Sequence, residues 1–213
     1  MQRLRIRFYR GEEVKYISHL DIMRLWQRAF DRADISLAYT EGFSPHPRIS
    51  VAAPLSVGVT GEAELMDIFV DRWVSPHIFI AVVSRQLPAG IKIQQVCQIA
   101  PVLPALQSRV RYAEYAVSAE TEKEGSEIIS LLDALLAREE IPWQHRRDTG
   151  LRSYDLRALI DDLWLIDRQP AGSIIGMRLR CDSNGSGRPE QVIAALGFDS
   201  YPKLIHRSRL ILG

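Results

Sequence analysis

Charged and apolar residues alternate at period two along Arg3-Leu-Arg-Ile-Arg-Phe-Tyr9, which predicts a strand with one dry and one basic face. After a short link through Gly11, Val14-Lys-Tyr-Ile17 reads as extended too. The period then changes. Ser18 is a good helix N-cap, and Asp21, three positions on, falls in the first turn, where the helix dipole favours an acid. The expected helix runs to about Asp34 with Leu20, Met23, Trp26 or Leu25, Phe30 and Ala33 inward. Arg24, Arg28 and Arg32 recur every four residues on another of its faces. Gly42, Pro45 and Pro47 break any helix between Leu37 and Pro54, and Arg48–Ala52 is extended. Strands at Glu64–Val70 and Ile91–Ile99 flank a helix from Ser75-Pro76 to about Gln86, with proline in its favoured first turn. The order β-α-β-β-α-β suggests a ferredoxin-like half over residues 1–100.

Residues 101–108, beginning Pro101-Val-Leu-Pro-Ala-Leu106, read as a linker, and residues 109–213 repeat the element order. A strand at Val110–Ala119 precedes a helix at Thr121–Glu139 with Ile128, Leu131, Leu132, Leu135 and Leu136 inward. Strands at Pro142–Arg147 and Leu163–Arg168 lie around Tyr154–Ile160. A strand at Ile174–Cys181, a short helix at Arg188–Leu196 entered through Pro189, and a last strand at Lys203–Leu212 complete the pattern. The fold class expected is therefore α+β, two ferredoxin-like halves in tandem. The duplication rests on element order, because no sequence identity links the halves.

Composition narrows the class. Of 213 residues 46% are hydrophobic and 25% charged, ordinary globular values that exclude wholesale disorder. No apolar run reaches membrane-spanning length, and the arginines of the first ten residues interrupt the apolar stretch a signal peptide needs, so a cytoplasmic protein is expected. Cys97 and Cys181 belong to no CxxC or Cys/His cluster and read as free thiols. The net charge of +1 hides segregation: Arg3, Arg5, Arg7 and Arg10 open the chain without an acid, and Lys203, Arg207 and Arg209 close it likewise. Acids gather at Glu120, Glu122, Glu124, Glu127, Asp133, Glu139 and Glu140. Local fields of this kind attract anionic partners whatever the total charge.

The segment Thr40-Glu-Gly-Phe-Ser-Pro-His-Pro-Arg48, with Tyr16-Ile-Ser-His-Leu-Asp21 and Arg28-Ala29 before it, resembles the DUF2344 family of uncharacterised "radical SAM-linked" bacterial proteins. Asp155-Leu-Arg157 and Arg188-Pro189 complete the resemblance, which spans nearly the whole chain. It implies association with a radical S-adenosylmethionine protein and no established activity. The chain lacks the CxxxCxxC that would hold an iron–sulfur cluster, so it is the companion, and no cofactor is expected of it.

The same positions stand out on physical grounds. His46 lies between two prolines that stiffen the turn and preset its side chains, including Phe43; a binding loop and a plain connection are both consistent with that. Arg48 either pairs with Asp21 or Glu41 or faces an anion. His19 is either exposed or part of an anion pocket with Arg48 and the free N–H groups of the helix start. His19, His46, Asp21 and Glu41 offer His-plus-carboxylate metal ligation, although the spacing matches no standard site and none is assigned. His19 or His46 could act in general acid–base catalysis, and the side chains of His19, Asp21, His46 and Arg48 are expected to converge. Asp155 and Arg157 read as a local charge pair. Candidate binding residues are thus His19, Asp21, Arg28, Glu41, Phe43, His46, Arg48, Asp155 and Arg157.

Arg3/Arg5/Arg7, Arg109/Arg111, Arg178/Arg180 and Arg207/Arg209 are each two apart, hence on one face of a strand. On the open side of two four-stranded sheets they would form a basic surface for RNA or for a protein. Alternatively they pair with acids such as Asp67 and Asp167. The leading function is an accessory protein to a radical S-adenosylmethionine enzyme, presenting RNA to it. The alternatives are an enzyme with a His/Asp/Arg site in the first half, and a structural partner without RNA contact.

Overall fold

The computed structural model describes residues 1–147, 150–170 and 172–213. The fold is α+β, and the chain divides into two compact units, Met1–Val110 with Gly213, and Arg111–Leu212.

The first unit runs β1 (Gln2–Arg10), α1 (His19–Arg32), β2 (Ile49–Val51), β3 (Thr60–Val70), α2 (Pro76–Val83), β4 (Ile91–Ile99) and the short α3 (Leu106–Arg109). Its strands lie in the order β4-β1-β3-β2, every pair antiparallel. Alternation along β1 sends Leu4, Ile6 and Phe8 into the core and Arg3, Arg5 and Arg7 to the opposite face. Phe8, Trp26, Phe30 and Phe79 form an aromatic row with centroids 5.1, 5.5 and 5.8 Å apart. Each such buried side chain stabilises the unit by about 1.5–3 kcal/mol.

Local chemistry sets the helix ends. The Ser18 hydroxyl accepts from the Asp21 N–H and the Ser75 hydroxyl from the Ile78 N–H, each satisfying a donor the helix start leaves free. Beyond α1 the chain reverses through Asp34 at φ 55°, and the Ile35 N–H returns to the Phe30 carbonyl.

Two details differ from the sequence pattern. Val14–Ile17 is not extended: a 3₁₀ turn at Glu12–Val14 folds it so that the Arg10 guanidinium gathers the carbonyls of Val14, Lys15 and Ile17 at 3.2, 3.3 and 2.7 Å. The inward face of α1 is Ile22, Trp26, Ala29 and Phe30, at helical spacing, which leaves Leu20 65% exposed.

The second unit runs β5 (Val110–Ala119), α4 (Gly125–Leu136), β6 (Pro142–Arg147), β7 (Gly150–Asp155), β8 (Ile160–Gln169), β9 (Gly172–Asp182), β10 (Gly185–Ser186), α5 (Pro189–Ala195) and β11 (Ile205–Leu212). Its strands lie in the order β11-β5-β9, with β8 on β9 and β10 folding back on the end of β9. Taking β5, β8, β9 and β11 as first to fourth, this repeats the fourth-first-third-second order of the first unit. The strand expected at Pro142–Arg147 instead joins β7 in a hairpin of its own, which sets Trp143 opposite Tyr154. A turn at Arg157–Leu159 follows, and β8 starts at Ile160, three residues earlier than its apolar run suggests.

Candidate functional site

The two motifs of the first unit stand at opposite ends of β1. His19 and Asp21 open α1 beside Arg10, whose guanidinium bonds the Ile17 carbonyl. Residues 38–48 fold as a hairpin beyond the other end: Leu37 bridges Val70, which pairs with Gln2, and the Thr40 N–H bonds the His46 carbonyl at 2.9 Å. A nine-residue strand separates the two motifs by roughly 25 Å. His19, Asp21, His46 and Arg48 therefore do not converge. The turn that holds both prolines lies away from the helix start.

Each motif has its own partners. Asp21 accepts from the Ser18 hydroxyl at 2.7 Å and from Arg24 at 3.0 Å, which together hold its carboxyl below the usual carboxylate range. His19 is half-buried, and burial, reinforced by the nearby Arg10, lowers its proton affinity. At the hairpin, Arg48 lies 3.8 Å above the Phe69 ring and donates to the Met1 sulfur, pairing with neither Asp21 nor Glu41. Glu41, Phe43 and His46 are exposed, Phe43 fully so, on a turn that passes through Gly42 at φ 119°. Among the described residues no group of three His, Cys, Asp or Glu side chains is placed to hold a metal.

The strand arginines are largely engaged. Arg3, 3% exposed, and Arg5 together make four hydrogen bonds of 2.7–3.1 Å to Asp67. Arg3 also reaches the carbonyls of Leu103 and Pro104, fixing the segment that leaves β4. In the second unit Glu114 accepts from Arg178 and Arg209, Arg178 reaches Asp161, and Arg180 pairs with Asp182. Arg207 is buried, and Arg109 donates to the Gly213 carbonyl. Arg3 and Arg207 are thus no part of any surface, whereas Arg7 and Arg111 remain exposed, Arg7 donating to Gln94. Asp67 plays the acid role expected of it; Asp167 accepts from Gln169.

Asp155 and Arg157 do not pair with each other. The Asp155 carboxylate accepts the N–H groups of Ile141 and Arg157, while the Arg157 guanidinium donates to the carbonyls of Leu136 and Ile160. The motif ties the end of α4 to the turn before β8, a structural task.

One concentration of cations, of which Arg28 alone is a candidate from the sequence, lies along α1. Arg24, Arg28 and Arg32 line a groove of about 500 Å³ along α1, closed on its far side by Arg85 and Gln86 after α2, with Asp21 at one end. Successive arginines on the helix are about 6 Å apart along its axis. Arg24 answers Asp21, and Arg32 answers the Gln86 carbonyl at 2.8 Å. Arg28 and Arg85 make no hydrogen bond or ion pair among the described residues. The four-residue spacing on α1 is visible in the sequence, whereas Arg85, on a separate element, carries no local signal.

The sequence pattern of a family described as "uncharacterized protein conserved in bacteria (DUF2344)" matches residues 3–189. Among solved structures, a chain of a Cbf5-Nop10-Gar1 complex is similar over 98% of this chain and 48% of its own, with TM-score 0.53 and 9% identity. A chain of an H/ACA RNP bound to a substrate RNA containing 2'-deoxyuridine is similar over 98% and 47%, with TM-score 0.52 and 9% identity. This chain spans about half the length of those two chains, and at such identity the likeness is one of fold. No curated protein matches. Among the described residues no helix is long and apolar enough to cross a membrane.

Proposed function

We propose that this chain, which belongs to the DUF2344 family of uncharacterised proteins conserved in bacteria, is a cytoplasmic accessory protein that binds RNA and presents it to a radical S-adenosylmethionine enzyme. The arginine groove along α1 carries this reading. Like charges four residues apart on a helix each destabilise it by a few tenths of a kcal/mol, so a run of three with an unpaired fourth across the groove favours an occupant that neutralises them. A regular comb of guanidiniums suits the phosphates of a polymer better than a single small anion. The likeness to a chain of an RNP bound to its substrate RNA lends support. The radical S-adenosylmethionine partner rests on the motif set at Ser18–Asp21, Gly42–Arg48 and Asp155–Arg157. Both units are ferredoxin-like in this reading, supported by their shared strand order.

Titration of labelled transfer RNA and ribosomal RNA fragments at about 50 and 200 mM salt tests the proposal. Wild-type affinity falls steeply with salt. Arg28→Gln with Arg85→Gln weakens binding to all sequences alike and flattens the logarithmic slope by about 1.4, at roughly 0.7 for each phosphate no longer neutralised. Absence of binding at the lower salt, where screening is least, removes RNA and leaves a protein-partner role.

A further inference from the structure

The open face of the second unit combines an aromatic ring with hydrogen-bonding groups in register. Strand pairing sets Trp164, Gly176 and Ala116 in one row across β8, β9 and β5. Asp162, Arg178 and Glu114 form the next row, and Arg180 and Tyr112 the one after. These residues alternate with Ala113, Tyr115, Ile175, Met177 and Leu179, which are buried on the core side. Residue 176 is glycine for a steric reason: a Cβ there would overlap the indole of Trp164 at Cε2 and Nε1. The ring rests on the bare strand, and Trp164 is part-exposed, as is Ala116 beside it. The missing side chain seats the ring low against the sheet, next to a floor of one methyl group.

The adjacent row supplies donors held in place by an acid. Glu114 is buried and held as a carboxylate by Arg209 first and Arg178 second, its two oxygens accepting from both guanidiniums and fixing them in place. Arg209 is 61% exposed and has N–H groups beyond those it gives to Glu114. A spacing of two residues puts Arg178 about 7 Å along β9 from Gly176, which the indole covers, with Glu114 one strand further and Arg209 on the strand beyond it.

We propose that Trp164 is the stacking platform of a nucleobase site, with Arg178 and Arg209, positioned by Glu114, donating to the edge of the base. As to its natural ligand the proposal rests on the RNA reading, but it concerns the base and not the phosphate chain. It therefore calls for an assay that the α1 groove does not dominate.

Tryptophan emission is followed during titration with uridine 5′-monophosphate and with a short single-stranded oligouridylate, in the wild-type protein, Trp164→Phe, Trp164→Ala and the Arg28→Gln/Arg85→Gln variant. Both ligands quench the wild-type emission, and Trp164→Phe lacks the quenched component while retaining affinity for the oligonucleotide within a few-fold. Trp164→Ala, checked for folding by circular dichroism, loses roughly tenfold or more. Persistence of the full quench in Trp164→Phe assigns it to another tryptophan, such as the exposed Trp73, and overturns the proposal. Oligonucleotide binding without any Trp164-dependent quench overturns it too while leaving the groove reading intact. The opposite pattern, a mononucleotide quench that survives when the groove variant binds RNA as tightly as wild type, supports the base site and counts against the groove.

Discussion

Asp67→Asn removes the charge from a carboxylate whose side chain is 1% exposed and which neutralises Arg3, 3% exposed, and Arg5, 14% exposed. The amide keeps the shape but offers one acceptor oxygen in place of two, so the donors of Arg3 and Arg5 compete for it. Arg3 cannot turn to water, because its remaining N–H groups are committed to the carbonyls of Leu103 and Pro104. Breaking one side of a buried ion pair costs about 3–5 kcal/mol, mostly the penalty of the uncompensated charge left behind. At about 2–4 °C per kcal/mol for a chain of this length, the melting temperature falls by roughly 6–20 °C. Arg5→Gln is the matched control. It deletes two of the four hydrogen bonds but leaves Arg3 to neutralise Asp67, so its cost is about 1–3 kcal/mol. Urea denaturation followed by circular dichroism compares the two. A loss under about 1 kcal/mol for Asp67→Asn, or equal losses for both variants, would refute the argument by showing that water reaches Arg3.

Asp155→Ala leaves the N–H groups of Ile141 and Arg157 without their acceptor and lowers stability by about 1–3 kcal/mol, while RNA affinity at fixed salt stays at the wild-type value. Glu114 contributes to stability above its unfolded-state pKa of about 4.3, and that contribution is lost as pH falls through its lower folded-state value. Urea midpoints measured from about pH 7 down to 3 should therefore converge for wild type and Glu114→Gln at the acid end and separate above it. Phe43→Ala changes the melting temperature negligibly, within about 0.5 kcal/mol, since its ring touches nothing that folding requires; a larger loss would show that the hairpin tip packs in solution.

Much of the fold is legible from period and punctuation. Ile91–Ile99 is read to the residue, and Ser18 and Ser75 mark helix starts because a hydroxyl at an N-cap acts locally. Legibility ends where a residue's role depends on a distant strand. Spacing places Arg3 and Arg5 on one face, but only the register of β1 against β3, which sets Arg5 opposite Asp67, turns that face into a closed ion cluster. Arg178 and Glu114 become opposed in the same way across β5 and β9. Pro142–Arg147 is read as a strand to the residue, but β7 and its pairing with that strand escape. Likewise the groove needs Arg85, on one element, to stand across from Arg28 on another, and nothing local announces that. Asp155-Leu-Arg157 is conspicuous in the sequence, but its task is to bind backbone, which no side-chain pattern reveals.

The length of β1 acts as a ruler between the two most distinctive stretches of the first unit. A metabolite of ordinary size, bound at the helix start, cannot touch the hairpin tip. Substitutions at His19 or Asp21 and at Phe43 or His46 should therefore combine without coupling, their free-energy effects summing to within about 0.3–0.5 kcal/mol. The two stretches can be altered one at a time, by selection or by an experimenter, with each change read on its own.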